Sequence, residues 1–325
     1  MESDRYTMIK VDFAPLEGLT DSIYRRQHHA HFGGVDRYFM PFLSPTMHKT
    51  LTHKEDRELP MADSVNFVAV PQILTKVPED FLWAAQVCTD RGYSEVNLNI
   101  GCPSGTVVSK GKGSGMLANT DQLDTFFEEV FAKSPIPISV KTRIGMTQEE
   151  EFPHLVEIFN QYPIKELIIH PRTRKEFYKA PIHMDAFRYA YENAKAPLCY
   201  NGDVCCLADI DAIQRQFPRL KHIMIGRGLV GDPGMLTENG TTAQQLEAFH
   251  RSLTEEYIAA FGSARNAMFR LKENWHHLIC RFEGGEKLYK RLRKTTDIDE
   301  FTSITTEIFR TLPLAPQLMP NWLND

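Results

Sequence analysis

The chain has 325 residues, of which 42% are hydrophobic and 24% charged. That is enough apolar material for a barrel-sized core plus a smaller unit, and it excludes global disorder. The apolar runs are strand-sized, far short of the ~20 residues of a membrane span, so no membrane partner is expected. The formal charge of −5 excludes nucleic-acid binding by overall charge, so any such surface has to be local.

In chain order, short β-rich runs alternate with amphipathic segments. The strands read as 9–14, 37–43, 66–73, 95–100, 138–143, 166–170, 198–201 and 222–226. Helical spacing runs over 80–91, 121–133, 149–162 and 207–217 between them. Eight strands separated by helices predict an α/β fold, a (β/α)8 TIM barrel. The rhythm stops around Pro233–Thr242, and helical sequence without strand candidates runs from about Ala243 to Phe309. This predicts a barrel over 1–240 and a helical-bundle domain over 241–325, with an irregular, Pro-containing tail after Leu312. His28, His29 and His31 read as residues of a helix surface. The N-terminus lacks the basic, apolar, small-residue order of a signal peptide, so a cytoplasmic protein is expected. Six scattered cysteines read as reduced thiols, and Cys199, Cys205 and Cys206 lack the partners of a zinc site, so no metal is expected. Nothing in the sequence sets the oligomeric state, and a monomer is compatible with it.

Barrel enzymes gather their reactive groups at the C-terminal ends of the strands. Here those ends are polar. Strand one runs into Ala14-Pro15-Leu16-Glu17-Gly18, strand three ends at Gln72, and strand four at Asn97-Leu98-Asn99-Ile100-Gly101-Cys102-Pro103. Strand five carries Lys141 and Arg143, strand six ends in His170-Pro171-Arg172-Thr173, strand seven in Asn201-Gly202-Asp203, and strand eight in Gly226-Arg227-Gly228. The last two groups fit a phosphate site, where Gly permits close backbone approach and Arg227 adds a charged donor. Lys141 lies in a strand covered on both sides, so its cation needs a partner, and the anionic N1–C2=O edge of a reduced flavin is a suitable one. Gln72 and His170 are placed to hydrogen-bond the rest of such a ring, although a structural histidine reads equally well for His170 alone. Cys102, on a turn at a strand end, is either a small buried hydrophobe or a group at the pocket mouth, and its flanks favour the second.

Taken in order, Ala14-Pro15-Leu16-Glu17-Gly18-Leu19-Thr20-Asp21, Asn97-Leu98-Asn99-Ile100-Gly101-Cys102-Pro103-Ser104, Val140-Lys141-Thr142-Arg143, His170-Pro171-Arg172-Thr173, Tyr200-Asn201-Gly202-Asp203 and Met224-Ile225-Gly226-Arg227-Gly228 closely resemble the motifs of tRNA-dihydrouridine synthases. The resemblance runs from about Val11 to Phe282. It implies an FMN barrel followed by a helical bundle, with tRNA across the cleft between them and NADPH as electron source. Carried over by position, Pro15, Leu16, Gln72, Lys141 and His170 would contact FMN, and Asn201, Asp203, Gly226 and Arg227 would surround its phosphate. The family reaction moves a hydride from flavin N5 to uracil C6, with Asn99 orienting the uracil and Cys102 giving a proton to C5. Arg143 and Arg172 are assigned to the substrate side. The chain departs from the family pattern at Pro171 and at Ser104-Gly105-Thr106, where many members carry a basic residue. Lys110 and Lys112, in the Gly-rich stretch 109–115, are expected to substitute for it on a flexible lid.

In the helical region, basic residues including Arg270, Lys287 and Lys290 outnumber the acids. The run reads either as a solvated face or, beside such a site, as a tRNA backbone surface. Two other functions stay open at this level: an FMN barrel reductase of a free pyrimidine, and a tRNA-binding protein without catalysis. The helical region disfavours the first, and the intact Cys102 and Lys141 the second.

Overall fold

Residues 9–321 are described by the computed structural model. Nine strand segments form one all-parallel sheet: β1 (Lys10–Phe13), β2 (Arg37–Phe39), β3 (Val68–Val70), β4 (Gln72–Ile73), β5 (Val96–Ile100), β6 (Ile138–Arg143), β7 (Leu167–His170), β8 (Leu198–Tyr200) and β9 (His222–Ile225). β3 and β4 are halves of one strand broken at Pro71, which has no N–H for the ladder. The first half pairs with β2 through Arg37↔Val68, and the second with β5 through Gln72↔Asn97. A strand that changes partner at its break closes the ring, so the nine segments fill the eight positions of a TIM barrel.

The barrel interior is layered. At the N-terminal strand ends Asp12, Glu95 and Glu166 are buried around Arg37, whose guanidinium lies 2.6 Å from Asp12 and 2.5 Å from Glu166. Burial pushes the Glu166 carboxyl up, and Arg37 pulls against it. Asp12, Glu166 and Cys199 bring three possible metal ligands within 4.8 Å of one another, but Arg37 already sits between the two carboxylates. Above this layer lies an apolar one of Ala14, Phe39, Val70, Ile168, Cys199 and Met224. The strand ends above it are polar.

Outside the strands lie α1 (Ser22–His31), α2 (His53–Glu58), α3 (Pro78–Asp90), α4 (Gly105–Val108), α5 (Thr120–Lys133), α6 (Phe152–Phe159), α7 (Met184–Asn193), α8 (Leu207–Gln216) and α9 (Arg227–Gly231). The expected 149–162 helix is a 3-10 turn over Glu149–Glu151 followed by α6, with Pro153 in the first turn of α6, where its missing N–H costs nothing. Four more helices follow: α10 (Ala243–Phe261), α11 (Ala264–Leu278), α12 (Glu286–Lys294) and α13 (Ile298–Thr311). The tail after them is irregular but docked, burying Ala315 and Leu318. No helix among the described residues is long and apolar enough to cross a membrane.

The C-terminal helices pack on α1. Tyr257 donates to Asp21 at 2.9 Å, Gln27 donates to Glu256 at 2.7 Å, and Phe249 meets the rings of Tyr24, His28 and Phe32. One apolar cluster therefore runs from the barrel into the helices. It corrects the reading of His28 as a surface residue: the ring is fully buried and bonds Tyr38 Oη at 2.8 Å. Burial lowers its pKa to about 3. A helix that looks one-sided alone is covered on a second side by α10, which no local pattern announces.

Candidate active site

The polar strand ends surround a cavity of about 440 Å³, in the range of small-molecule sites. Pro15, Leu16 and Gln72 line one part of it, with Asn99, Cys102 and Lys141 beside them. His170, Asn201 and Asp203 continue the wall to Gly226 and Arg227. Twelve of the residues singled out from sequence, these eleven and Arg143, thus face one cavity.

A chain of amides fixes the Cys102 turn. The N–H groups of Gly101 and Cys102 donate to Asn99 Oδ1 at 3.0 and 2.9 Å. Asn99 Nδ2 donates to Gln72 Oε1 at 2.8 Å, Gln72 Nε2 to Asn97 Oδ1 at 2.8 Å, and Asn97 Nδ2 to Ser139 Oγ at 2.9 Å. From the other side Ser114 Oγ donates to the Cys102 carbonyl at 2.8 Å. The structure therefore gives the Asn99 oxygen to the turn carrying Cys102.

The Ser114 contact overturns the expected flexible lid. Residues 105–118 fold as α4 and a 3-10 turn over Gly113–Ala118, with Gly113, Ser114, Met116 and Leu117 buried. Gly113 has φ +58°, and a Cβ there would lie 2.9 Å from the Cys102 carbonyl. Gly113 and Gly115, which looked permissive, sit in close packing against backbone. Lys110 is exposed, and Lys112 reaches Ser44 Oγ at 3.3 Å; neither lines the cavity.

Lys141 and Arg143 differ in kind. Lys141 lines the cavity with no carboxylate paired to it among the described residues, and burial, followed by repulsion from Arg143, brings its pKa down to about 8. Arg143 is buried, and its donors go to the carbonyls of Gly101 (3.0 Å), Thr173 (2.9 Å) and Phe177 (2.7 Å). It ties the loop after β5 to the loop after β7. Arg172 lies outside the cavity lining and grips Asp203 with both terminal nitrogens, Nη1 at 3.0 Å. Asp203, at φ +44°, also accepts from Arg227 at 3.1 Å. Two guanidinium groups against one carboxylate leave this end positive. His170 Nδ1–H donates to Asn201 O at 2.9 Å; burial first, then the surrounding Arg143, Lys141 and Arg172, keep the ring neutral.

Backbone closeness marks the same end. A Cβ on Gly228 would meet the Val204 carbonyl at 2.2 Å, and one on Gly226 would lie 3.3 Å from Ala14 Cβ. Tyr178 is a residue that sequence reasoning missed. Its ring lies 5.0 Å from the Arg143 guanidinium and 4.9 Å from that of Arg227, and it lines the cavity. The only signal for it was an aromatic residue in a basic loop after a barrel strand. Of the helical residues, Lys287 and Lys290 are exposed on α12 away from the cavity, whereas Arg270 is bound to the Gly18 carbonyl and lies 3.7 Å from Asp21.

Fold and cavity together define a (β/α)8 barrel whose strand-end cavity brings Lys141, Arg143 and Arg227 together with the Cys102 thiol. The profile described as "Dihydrouridine synthase (Dus)" matches residues 12–296, and the chain belongs to the dihydrouridine synthase family. It is 29% identical over 318 residues, 90% of this chain and 91% of the relative, to a probable tRNA-dihydrouridine synthase of Staphylococcus aureus (strain COL). It is 24% identical over 93% of this chain and 95% of the relative to a tRNA-dihydrouridine(16) synthase of Neisseria meningitidis serogroup B. A tRNA-dihydrouridine synthase B of Pasteurella multocida matches at 28% over 69% of this chain and 67% of the relative. Among solved structures, histamine dehydrogenase from Rhizobium sp. 4-9 shares the barrel, with TM-score 0.52 and 12% identity over 71% of this chain and 47% of that one.

Proposed function

We propose that the cavity holds FMN and that the protein reduces the C5–C6 double bond of particular uridines in tRNA, with NADPH as electron source. The residues fit FMN on two counts. Lys141 offers an unneutralised ammonium to the cavity, and the Gly226–Gly228 turn, with Arg227, leaves room for an anion against backbone that a Cβ would fill. FMN, when bound, supplies the hydride-transfer chemistry that side chains lack.

The chain's own residues do the rest. Lys141 neutralises negative charge at the cavity floor. Arg227 and the glycine turn hold the phosphate end, with Asp203 and Arg172 setting the direction of Arg227. Neutral His170 faces the cavity without adding charge. Cys102 holds the proton destined for uracil C5, and the Asn99 and Ser114 bonds keep its turn in place. A thiol positioned in this way can serve as a general acid. The unit 241–325 is the tRNA-binding part, with Lys287 and Lys290 as backbone contacts; Arg270 instead fixes the loop after β1.

The observation that carries this reading is the convergence of Cys102, Lys141 and the glycine cradle on one cavity of a family member. The test is to incubate purified flavin-loaded protein with unmodified tRNA and NADPH and to map the product by mass. A gain of two hydrogens at defined uridines is expected. Reduction of a free pyrimidine with tRNA left unchanged would overturn it in favour of a small-molecule reductase.

A further inference from the structure

Along α11, Arg265, Phe269, Lys272 and His276 recur at helical spacing, which puts them on one face. Phe269 is 43% exposed, an unusual place for a phenyl ring. Its ring centroid lies 5.7 Å from the Arg265 guanidinium and 5.3 Å from the Lys272 ammonium. Next to it, Tyr289 of α12 bonds His276 through its hydroxyl at 3.0 Å and has the Arg293 guanidinium 5.8 Å from its ring. Phe269, Lys272, His276, Tyr289 and Arg293 share a shallow hollow with Leu19, which also lines the strand-end cavity. Aromatic faces flanked by cations therefore begin where the active site ends.

We infer that this hollow is a stacking platform for an unpaired base of the tRNA neighbouring the target uridine. The inference rests on the tRNA reading above and adds the place and mode of contact. Unpaired bases are recognised by stacking on aromatic rings while cations track the phosphates, and any base has a face to stack. The hollow fits that chemistry because its rings are ringed by Arg265, Lys272 and Arg293, with Glu273 as the acid among its lining residues. A protein partner would need a contiguous apolar face, and here each exposed ring has a cation beside it.

The test uses flavin-loaded full-length protein and an unmodified tRNA transcript. Phe269→Ala should weaken tRNA binding about tenfold, within the range of losing one base–aromatic contact. The slope of affinity against salt should stay the same, because no phosphate contact is removed. Phe269→Tyr should restore affinity, and the indole emission of Phe269→Trp should be quenched as tRNA is added. Flavin content serves as the folding control. Wild-type affinity in Phe269→Ala, with tRNA still bound and reduced, would overturn the platform and leave the function standing. Absence of tRNA binding by the wild-type protein would overturn both. A dimer lost in Phe269→Ala, with tRNA affinity kept, would assign the patch to a second copy of the chain and overturn the inference.

Discussion

Lys141→Met should make the flavin-free protein more stable while impairing cofactor retention. Burial and Arg143 bring the Lys141 pKa from 10.5 to about 8. At about 1.36 kcal/mol per unit, the charged form costs the folded protein about 3 kcal/mol at neutral pH. The side chain is only partly buried, so water in the cavity screens the charge and about 1–2 kcal/mol remains. Between pH 8 and 10.5 the unfolded chain holds a proton that the folded chain has lost. Wild-type stability therefore rises with pH in that window, and the advantage of the variant fades. Urea unfolding of flavin-free protein at pH 7 and pH 10 measures this, with methionine keeping the volume of the lysine stem. A variant no more stable at pH 7, or an advantage independent of pH, would refute the argument that an uncompensated ammonium is held for a ligand. The flavin bands of protein purified under identical conditions should be weaker in the variant.

Cys102→Ala should retain flavin and tRNA but form dihydrouridine about 10²–10⁴-fold more slowly, the usual contribution of a general acid, as measured by product mapping over time. Reversing charge at Lys287 and Lys290 should weaken tRNA binding and lower its salt slope by roughly one unit per lost phosphate contact, with flavin content unchanged. Acid should destabilise the fold early: burial holds His28 and His277 near pKa 3 and His250 near 4, against 6.5 when exposed. All three stay neutral in the folded state below pH 6.5 while the unfolded chain takes up protons. Each then removes up to about 2 kcal/mol by pH 5, and thermal unfolding at pH 7 and pH 5 reads their sum. His250 also accepts from Trp275 Nε1 at 3.0 Å, so its protonation breaks a bond.

The barrel was legible because its strands are short, apolar and separated by helices, and because their ends carry polar residues that a packed strand avoids. What a side chain does there was less legible. Arg143 and Arg172 look like substrate ligands in sequence, yet the partners of Arg143 are carbonyls 30–42 residues away and Arg172 grips Asp203, contacts that exist only once the loops are folded. Asn99 was read as a substrate ligand, but Gly101 and Cys102, two and three residues on, already use its oxygen. In the Gly-rich stretch 109–115 the same glycines suit mobility and close packing, and the burial of Gly113 and Ser114 separates the two. Tyr178 had no fixed spacing to a strand end, since the loop that carries it sets its position.

The amide chain beneath Cys102 can point only one way. At its top are two backbone N–H groups, which can only donate. At its foot Ser139 Oγ lies 3.5 Å from the Val96 carbonyl, which can only accept. Each amide between them therefore has its oxygen turned toward Cys102 and its nitrogen away, and reversing one would set oxygen against oxygen on one side and N–H against N–H on the other. The orientation of the Cys102 turn is thus copied, amide by amide, from the floor of β5 and β6. An isosteric acid at Gln72 or Asn97 would keep the shape but remove the donor that passes the direction on, so a change of polarity alone is enough to break the chain.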